Sequence, residues 1–188
     1  KALQYFVKKG FEPVLVSPYK DKDSLKVDVI NDKLSEIKAQ LIVRVIDFDG
    51  NEVWKEAKDV TVPANSSNTL FAAKTSDFLT KVQSTKQFLL VELLENGLLV
   101  SNNTLYFQPI KNIPLPKPEV KSEINPVDGG FEIVLSTNKL AKNVYLTIGD
   151  ESGFFSDNYF DLIPGQPVQI KLETKITKEK LQKVFAVQ

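Results

Sequence analysis

Chemistry in this chain has to come from carboxylates, amines or hydroxyls, and the densest run of such groups is Asp47-Phe48-Asp49-Gly50-Asn51-Glu52. Alternating oxygen donors at this spacing resemble the opening of a calcium loop, in which every second side chain turns toward one ion. The bidentate Glu that closes such a loop is lacking downstream. Asp, Gly and Asn are also what a tight hairpin turn requires, Gly for positive φ and the Asx side chains for local hydrogen bonds, and this plainer reading outweighs the metal. Asp150-Glu151-Ser152-Gly153 reads the same way. Neither run is expected to hold a metal ion or to act as a catalyst.

The chain contains no His and no Cys. That removes Ser-His-Asp and Cys-His catalysis, nearly all zinc sites, thiolate ligands and disulfides together. Two carboxyl groups about 5 to 9.5 Å apart across a cleft could still cleave a glycosidic bond. The acids here fall on turns or on outward-facing strand positions, and nothing in their spacing singles out a pair. No catalytic residue and no cofactor is expected within the chain.

Aromatic rings offer a different chemistry, because their flat apolar faces stack on sugar rings as on other flat partners. Trp54, Tyr19 and Tyr159 are the candidates for carbohydrate contact. Trp54 stands beside Lys55 and Glu56 in an extended stretch, a pattern that fits a half-buried core or interface residue better than a binding platform. Phe154, Phe155, Tyr159 and Phe160 are denser than a small domain needs, with core again the default role. Asn65-Ser66-Ser67 and Asn102-Asn103-Thr104 fit the glycosylation tripeptide but read as polar turn and strand residues.

The elements that would position these groups are almost all strands. Lys1 to Lys9 has the apolar spacing of a helix's last turns, with no initiator Met, so the chain is expected to be a piece of a longer one. Gly10 and Pro13 stop that helix. Strands are then expected at 12–19, around Leu25, Val27 and Val29, at 39–48, 52–62, 69–74, 87–95 and 98–108, with a loop at 63–67 and a helical turn at 76–82 anchored by Phe78, Leu79 and Val82. Asp47 to Asn51 joins one hairpin, and Asn96-Gly97 joins another as a type I′ turn. About seven short strands in some 100 residues predict an immunoglobulin-like sandwich without the Cys-Trp-Cys signature of antibody domains.

Pro109, Pro114, Pro116 and Pro118 crowd one stretch and predict an extended spacer. Beyond it the pattern restarts: strands at 119–125, across Phe131, Ile133 and Leu135, at 143–149, an irregular aromatic strand at 154–163, a strand at 168–173, a helix capped by Thr177, and a closing strand at 185–187. The fold class is therefore all-β: two immunoglobulin-like β-sandwich domains in tandem, 11–109 and 118–188, joined by a proline-rich linker at 110–117 and preceded by a short residual helix at 1–10. Basic and acidic residues balance at 24 each, which offers nucleic acid and anionic membranes no excess charge to bind. No apolar run approaches the ~20 residues of a spanning helix.

Ala2-Leu3-Gln4-Tyr5-Phe6, Pro13-Val14-Leu15-Val16-Ser17-Pro18-Tyr19, Asp47-Phe48-Asp49-Gly50 before Trp54, and Val62-Pro63-Ala64-Asn65-Ser66-Ser67 occur in that order. They are followed by Asp128-Gly129-Gly130-Phe131, Val144-Tyr145-Leu146 and the run Phe155-Ser156-Asp157-Asn158-Tyr159-Phe160-Asp161-Leu162 before Pro164-Gly165. The series resembles, over essentially the whole chain, the C-terminal part of the β-mannosidases of glycoside hydrolase family 2. The resemblance implies that residues 1–10 end the last helix of a catalytic barrel and that both sandwiches follow that barrel. The family's two catalytic Glu residues lie in the barrel, so none is carried onto this sequence. It further implies a parent that hydrolyses terminal β-mannosyl residues with retention, without an organic cofactor, in a periplasmic, secreted or lysosomal setting. The barrel of the same chain is the implied partner, with mannoside glycans and a homodimer as further ones. A carbohydrate-binding module and a non-enzymatic adhesion tandem are the competing functional classes.

Overall fold

The structure is a computed structural model describing residues 2–74, 76 and 84–188. The helical turn expected over 76–82 falls outside the described residues, apart from Ser76. After helix α1 (Ala2–Gly10) come strands β1 (Val14–Asp21), β2 (Ser24–Asn31), β3 (Ile37–Asp47), β4 (Glu52–Val62), β5 (Ser66–Lys74), β6 (Gln87–Glu95) and β7 (Leu98–Tyr106). Two compact units account for the chain. One consists of Lys9–Asp47 and Asn51–Pro114, the other of Lys1–Lys8, Phe48–Gly50 and Leu115–Gln188.

The first of these is a sandwich of a three-stranded sheet, β1-β2-β5, and a four-stranded sheet, β4-β3-β6-β7, every pair antiparallel. Alternation does the folding work here. Leu25, Val27 and Val29 of β2 and Leu41, Val43 and Val45 of β3 are all at most 1 % exposed, while the residues between them are less buried. Burying apolar side chains at every second position commits each strand to one register, because a slip of one residue would turn the whole set to solvent. The unpatterned run Phe88-Leu89-Leu90-Val91 becomes β6, an inner strand buried at every position from Gln87 to Leu93. Pro18 is accommodated because β1 is an edge strand, where a missing N–H breaks no ladder. Asn96 and Gly97 take φ of 53° and 79°, the two positive values that a type I′ hairpin turn demands. The stretch read as a loop at 63–67 is shorter than expected, since β5 already starts at Ser66.

The proline-rich stretch opens with a single 3-10 turn, Ile110–Asn112, set by Pro109 before it. The second unit then forms from β8 (Val120–Val127), β9 (Gly130–Thr137), β10 (Ala141–Val144), β11 (Leu146–Thr147), β12 (Phe154–Phe155), β13 (Phe160–Leu162), β14 (Val168–Glu173), helix α2 (Lys178–Val184) and β15 (Ala186–Val187). Strands β12-β14-β9-β8 make one sheet, and β10-β13 and β11-β15 pair as two short ribbons. Phe131, Ile133, Leu135, Leu162, Ile170 and Leu172 form its core, and Leu181 of α2 adds a fully buried side chain. Thr177 caps α2 as expected, its hydroxyl accepting from the Lys180 N–H at 3.3 Å.

Two stretches depart from the expected strands, the first being 154–163, which splits into β12, paired with β14, and β13, paired with β10. The second, 143–149, is not continuous but breaks at Tyr145, so that β10 pairs with β13 and β11 with β15. Asn143 at φ 54° redirects the backbone just before the break. Partner exchange of this kind leaves no periodicity signal, because burial still alternates from Val144 through Leu146 to Ile148 across the break.

Candidate functional site

A partly exposed cluster of aromatic rings lies in the second unit around Tyr159, the one candidate carbohydrate contact in that unit. Tyr159 adopts φ of 61°, a left-handed conformation costly for a bulky side chain. It is held there by its own N–H, which donates to Val144 O at 2.8 Å, and by a stack of its ring on Tyr145, centroids 4.9 Å apart and planes 23° apart. Tyr5 of α1 packs on the same ring at 6.1 Å and stacks on Phe154 at 6.5 Å. The Tyr5 hydroxyl donates to Phe155 O at 3.4 Å, and Lys8 Nζ donates to Ser156 O at 3.0 Å. Phe154 keeps 46 % of its surface exposed at the edge of this group.

Asn158 makes the arrangement possible. Its side chain is buried and bridges the broken strand, the amide Nδ2 donating to Leu146 O at 2.9 Å while Oδ1 accepts from Leu146 N at 2.8 Å. The side-chain amide thus stands in for a neighbouring strand at Leu146. Nearby, Lys142 pairs with Asp161 at 2.9 Å, both largely buried, and Asp161 also accepts from Asn143 N at 3.0 Å.

Lost hydration, and after it the charge of Asp157, raises the Tyr5 phenol above its ordinary pKa, partly offset by a hydrogen bond with Asn158. The Tyr159 phenol is raised by the same loss of hydration and then by Tyr145. Both phenols therefore stay neutral well past physiological pH. They are hydrogen-bonding and stacking groups, not acids or nucleophiles.

The other candidates lie in the first unit and are not brought together. Trp54 sits in edge strand β4 opposite Val45, on the core side, with its ring edge-on to Phe71 at 6.1 Å and 61°. Tyr19 sits in β1, at the edge of the other sheet, and its hydroxyl donates to Asp28 Oδ1 at 3.4 Å. In the acidic turn Asp47 accepts from the Asn51 backbone at 2.8 Å and from the Asn51 amide at 2.9 Å, and Asp49 lies 3.5 Å from Lys139 Nζ. Among the described residues, no group of three or more acidic side chains is gathered as a metal site. Tyr145 and Asn158 carry no sequence signal as members of this cluster, since the first reads as an ordinary strand residue and the second as part of the irregular strand at 154–163.

Residues 23–112 match the family model described as a mannosidase Ig/CBM-like domain, and residues 115–188 match the Ig-fold domain model Ig_mannosidase. A β-mannosidase from Capra hircus is 30% identical over 169 residues, which cover 85% of this chain and 19% of the goat protein. The chain thus spans 19% of the length of that relative. Among solved structures, a β-D-mannosidase from Dictyoglomus thermophilum superposes with a TM-score of 0.89 at 24% identity, covering 100% of this chain and 23% of its own. An exo-chitosanase from Amycolatopsis orientalis follows with a TM-score of 0.60 at 15% identity, over 98% of this chain and 26% of its own. At such identities the two structures speak for the fold alone. The consecutive domain matches leave only residues 1–22 and 113–114 uncovered, and with the goat relative they show that the chain belongs to the tandem Ig-like domains of the β-mannosidase family.

Proposed function

We propose that this chain is the non-catalytic accessory region of a retaining β-mannosidase, a glycoside hydrolase that removes terminal β-D-mannosyl residues from non-reducing ends, and that it packs on and stabilises the catalytic barrel of the same polypeptide. The observation that carries the reading is helix α1. It has no buried residue, and Leu3, Phe6 and Val7, spaced i, i+3, i+4, remain 72 %, 56 % and 45 % exposed. A nine-residue helix is marginal alone, and an uncovered apolar stripe on one calls for a further surface. Tyr5 and Lys8 secure the helix to the second unit, which leaves the stripe available for the parent's own chain.

Targeting to carbohydrate through Trp54, Tyr19 or Tyr159 is the weaker reading, since the rings of Trp54 and Tyr159 already pack on Phe71 and Tyr145 and the Tyr19 hydroxyl donates to Asp28. The decisive test compares the parent enzyme with a form cut off before Glu12. Scaffolding predicts a lower melting temperature and poorer solubility for the shortened form, with turnover per folded molecule retained or reduced. Unchanged melting together with unchanged turnover would overturn it. Leu3→Ser and Phe6→Ser in the full enzyme should reproduce part of the loss.

A further inference from the structure

We infer that the outer face of the four-stranded sheet in the first unit carries a binding groove for a neutral oligosaccharide, separate from every aromatic candidate. The groove is open to solvent and offers about 450 Å³ between the ends of β3, β4 and β6, within the range of small-ligand sites. Its floor follows from register. Lys38 and Gln40 of β3 point away from the core that Ile37, Ala39 and Leu41 line, and they pair across the ladder with Thr61 and Asp59 of β4. Leu94 lies opposite Gln40 on the other side and, with Asn96 of the hairpin turn, raises a wall.

Strand spacing of about 4.8 Å and a same-face repeat of about 6.7 Å turn these four side chains into a small grid of donors and acceptors. Its chemistry selects the ligand. The single cation Lys38 and the single anion Asp59 cancel, so neither a polyanion nor a polycation gains from the site. Two amides, a hydroxyl, a carboxylate and an ammonium can each pair with vicinal hydroxyls, and Leu94 supplies an apolar strip for the C–H face of a sugar ring. Among the described residues, no hydrogen bond or ion pair engages the side chains of Gln40, Asp59, Thr61 or Asn96, whereas Lys38 lies 3.7 Å from Glu36. Further along the same face the pattern changes to a closed ion pair of Arg44 with Glu92, so the open polar grid is confined to the groove. The inference concerns this surface alone and holds whether or not the parent is a β-mannosidase.

The test is an amide-resolved NMR titration of the 188-residue chain with linear β-1,4-mannotriose and cellotriose, with tri-galacturonate and chitosan trimer as charged controls. Saturable shifts at 38–40, 59–61 and 94–97 with the neutral sugars, and roughly tenfold weaker binding of the charged ones, are expected. Gln40→Ala and Asp59→Ala are exposed substitutions that leave melting unchanged and should each weaken binding about tenfold. Absence of shifts up to about 20 mM sugar, shifts confined to the Tyr159 surface, equal binding of charged trimers, or variants that bind like the original chain would each overturn the proposal.

Discussion

Each of the two units relies on one buried Asn to pair backbone that the sheets leave open, but at different kinds of break. In the first, Asn31 ends strand β2: its Nδ2 reaches Ser35 O, Pro63 O and Val62 O at 2.9, 3.0 and 3.3 Å, and its Oδ1 accepts from Lys33 N at 3.0 Å. Three carbonyls share two N–H groups there, so the amide ties two loops to a strand end. In the second, Asn158 works in the interior of a broken strand, supplying both hydrogen bonds of Leu146. The contrast reflects strand length. The first unit has two strands of 11 residues whose ladders satisfy themselves, whereas three strands of the second have only two residues each. Side chains complete backbone pairing in both units, since Ser101 Oγ accepts from Val16 N and Asn103 Nδ2 donates to Val16 O along edge strand β1, but at Leu146 one residue supplies both bonds inside a broken strand.

The sharpest way to break that contrast is at Gly130. At φ 156° it lies so close to β14 that an added Cβ would stand 2.0 Å from Leu172 O. Gly130→Ala should therefore cost at least about 3 kcal/mol in urea denaturation of the second unit, since neither backbone can yield without losing its ladder. A loss below about 1 kcal/mol would mean that this sheet is more pliable than its packing implies.

The two asparagines come next. Asn158→Ala leaves a buried N–H and a buried C=O unpaired and should cost about 2 to 3 kcal/mol. Asn31→Ala should cost about 1 to 2, because most of its partners are partly exposed and can recruit water. Equal losses in chemical denaturation would erase the distinction between pairing a strand end and pairing a strand interior.

A smaller effect belongs to the regular hairpin of the first unit. Gly97 has φ of 79° but open space where a Cβ would go, so Gly97→Ala should cost only the left-handed penalty of about 1 kcal/mol, read from thermal melting.

The smallest effect is pH dependence. Tyr5 and Tyr159 have raised phenol pKa values, so the folded state holds those protons more tightly than the unfolded chain does. Their contribution is complete below about pH 10 and is lost as pH rises through the folded values. Melting temperature measured above pH 10 should fall less steeply for the Tyr5→Phe, Tyr159→Phe double variant, and an identical slope would remove the cluster from the account.

Most of the first unit is legible in its residues alone. Leu25, Val27 and Val29 mark their strand by alternation, and Asn96-Gly97 marks its turn because few other pairs tolerate two positive φ values. The same rules make 143–149 one strand, since alternation reports which face a residue occupies and is silent about which neighbour pairs with it. The candidate sites fare differently again. Tyr19, Trp54 and Tyr159 can be nominated by residue type, but the surroundings of Tyr159 come from Tyr5 and Tyr145 and those of Trp54 from Phe71, which no local spacing connects.

Sequence alone thus determined the strand content, the turns, the two-domain order and the lack of imidazole and thiol chemistry, because each follows from local propensity, period or composition. Tertiary structure alone decided that Asn158 repairs a strand, that Tyr159 joins a ring stack, and that Lys38, Gln40, Asp59 and Thr61 meet as a polar grid. Those outcomes depend on register and packing between segments far apart in the chain, where a single residue's shift in pairing reverses which side chains meet.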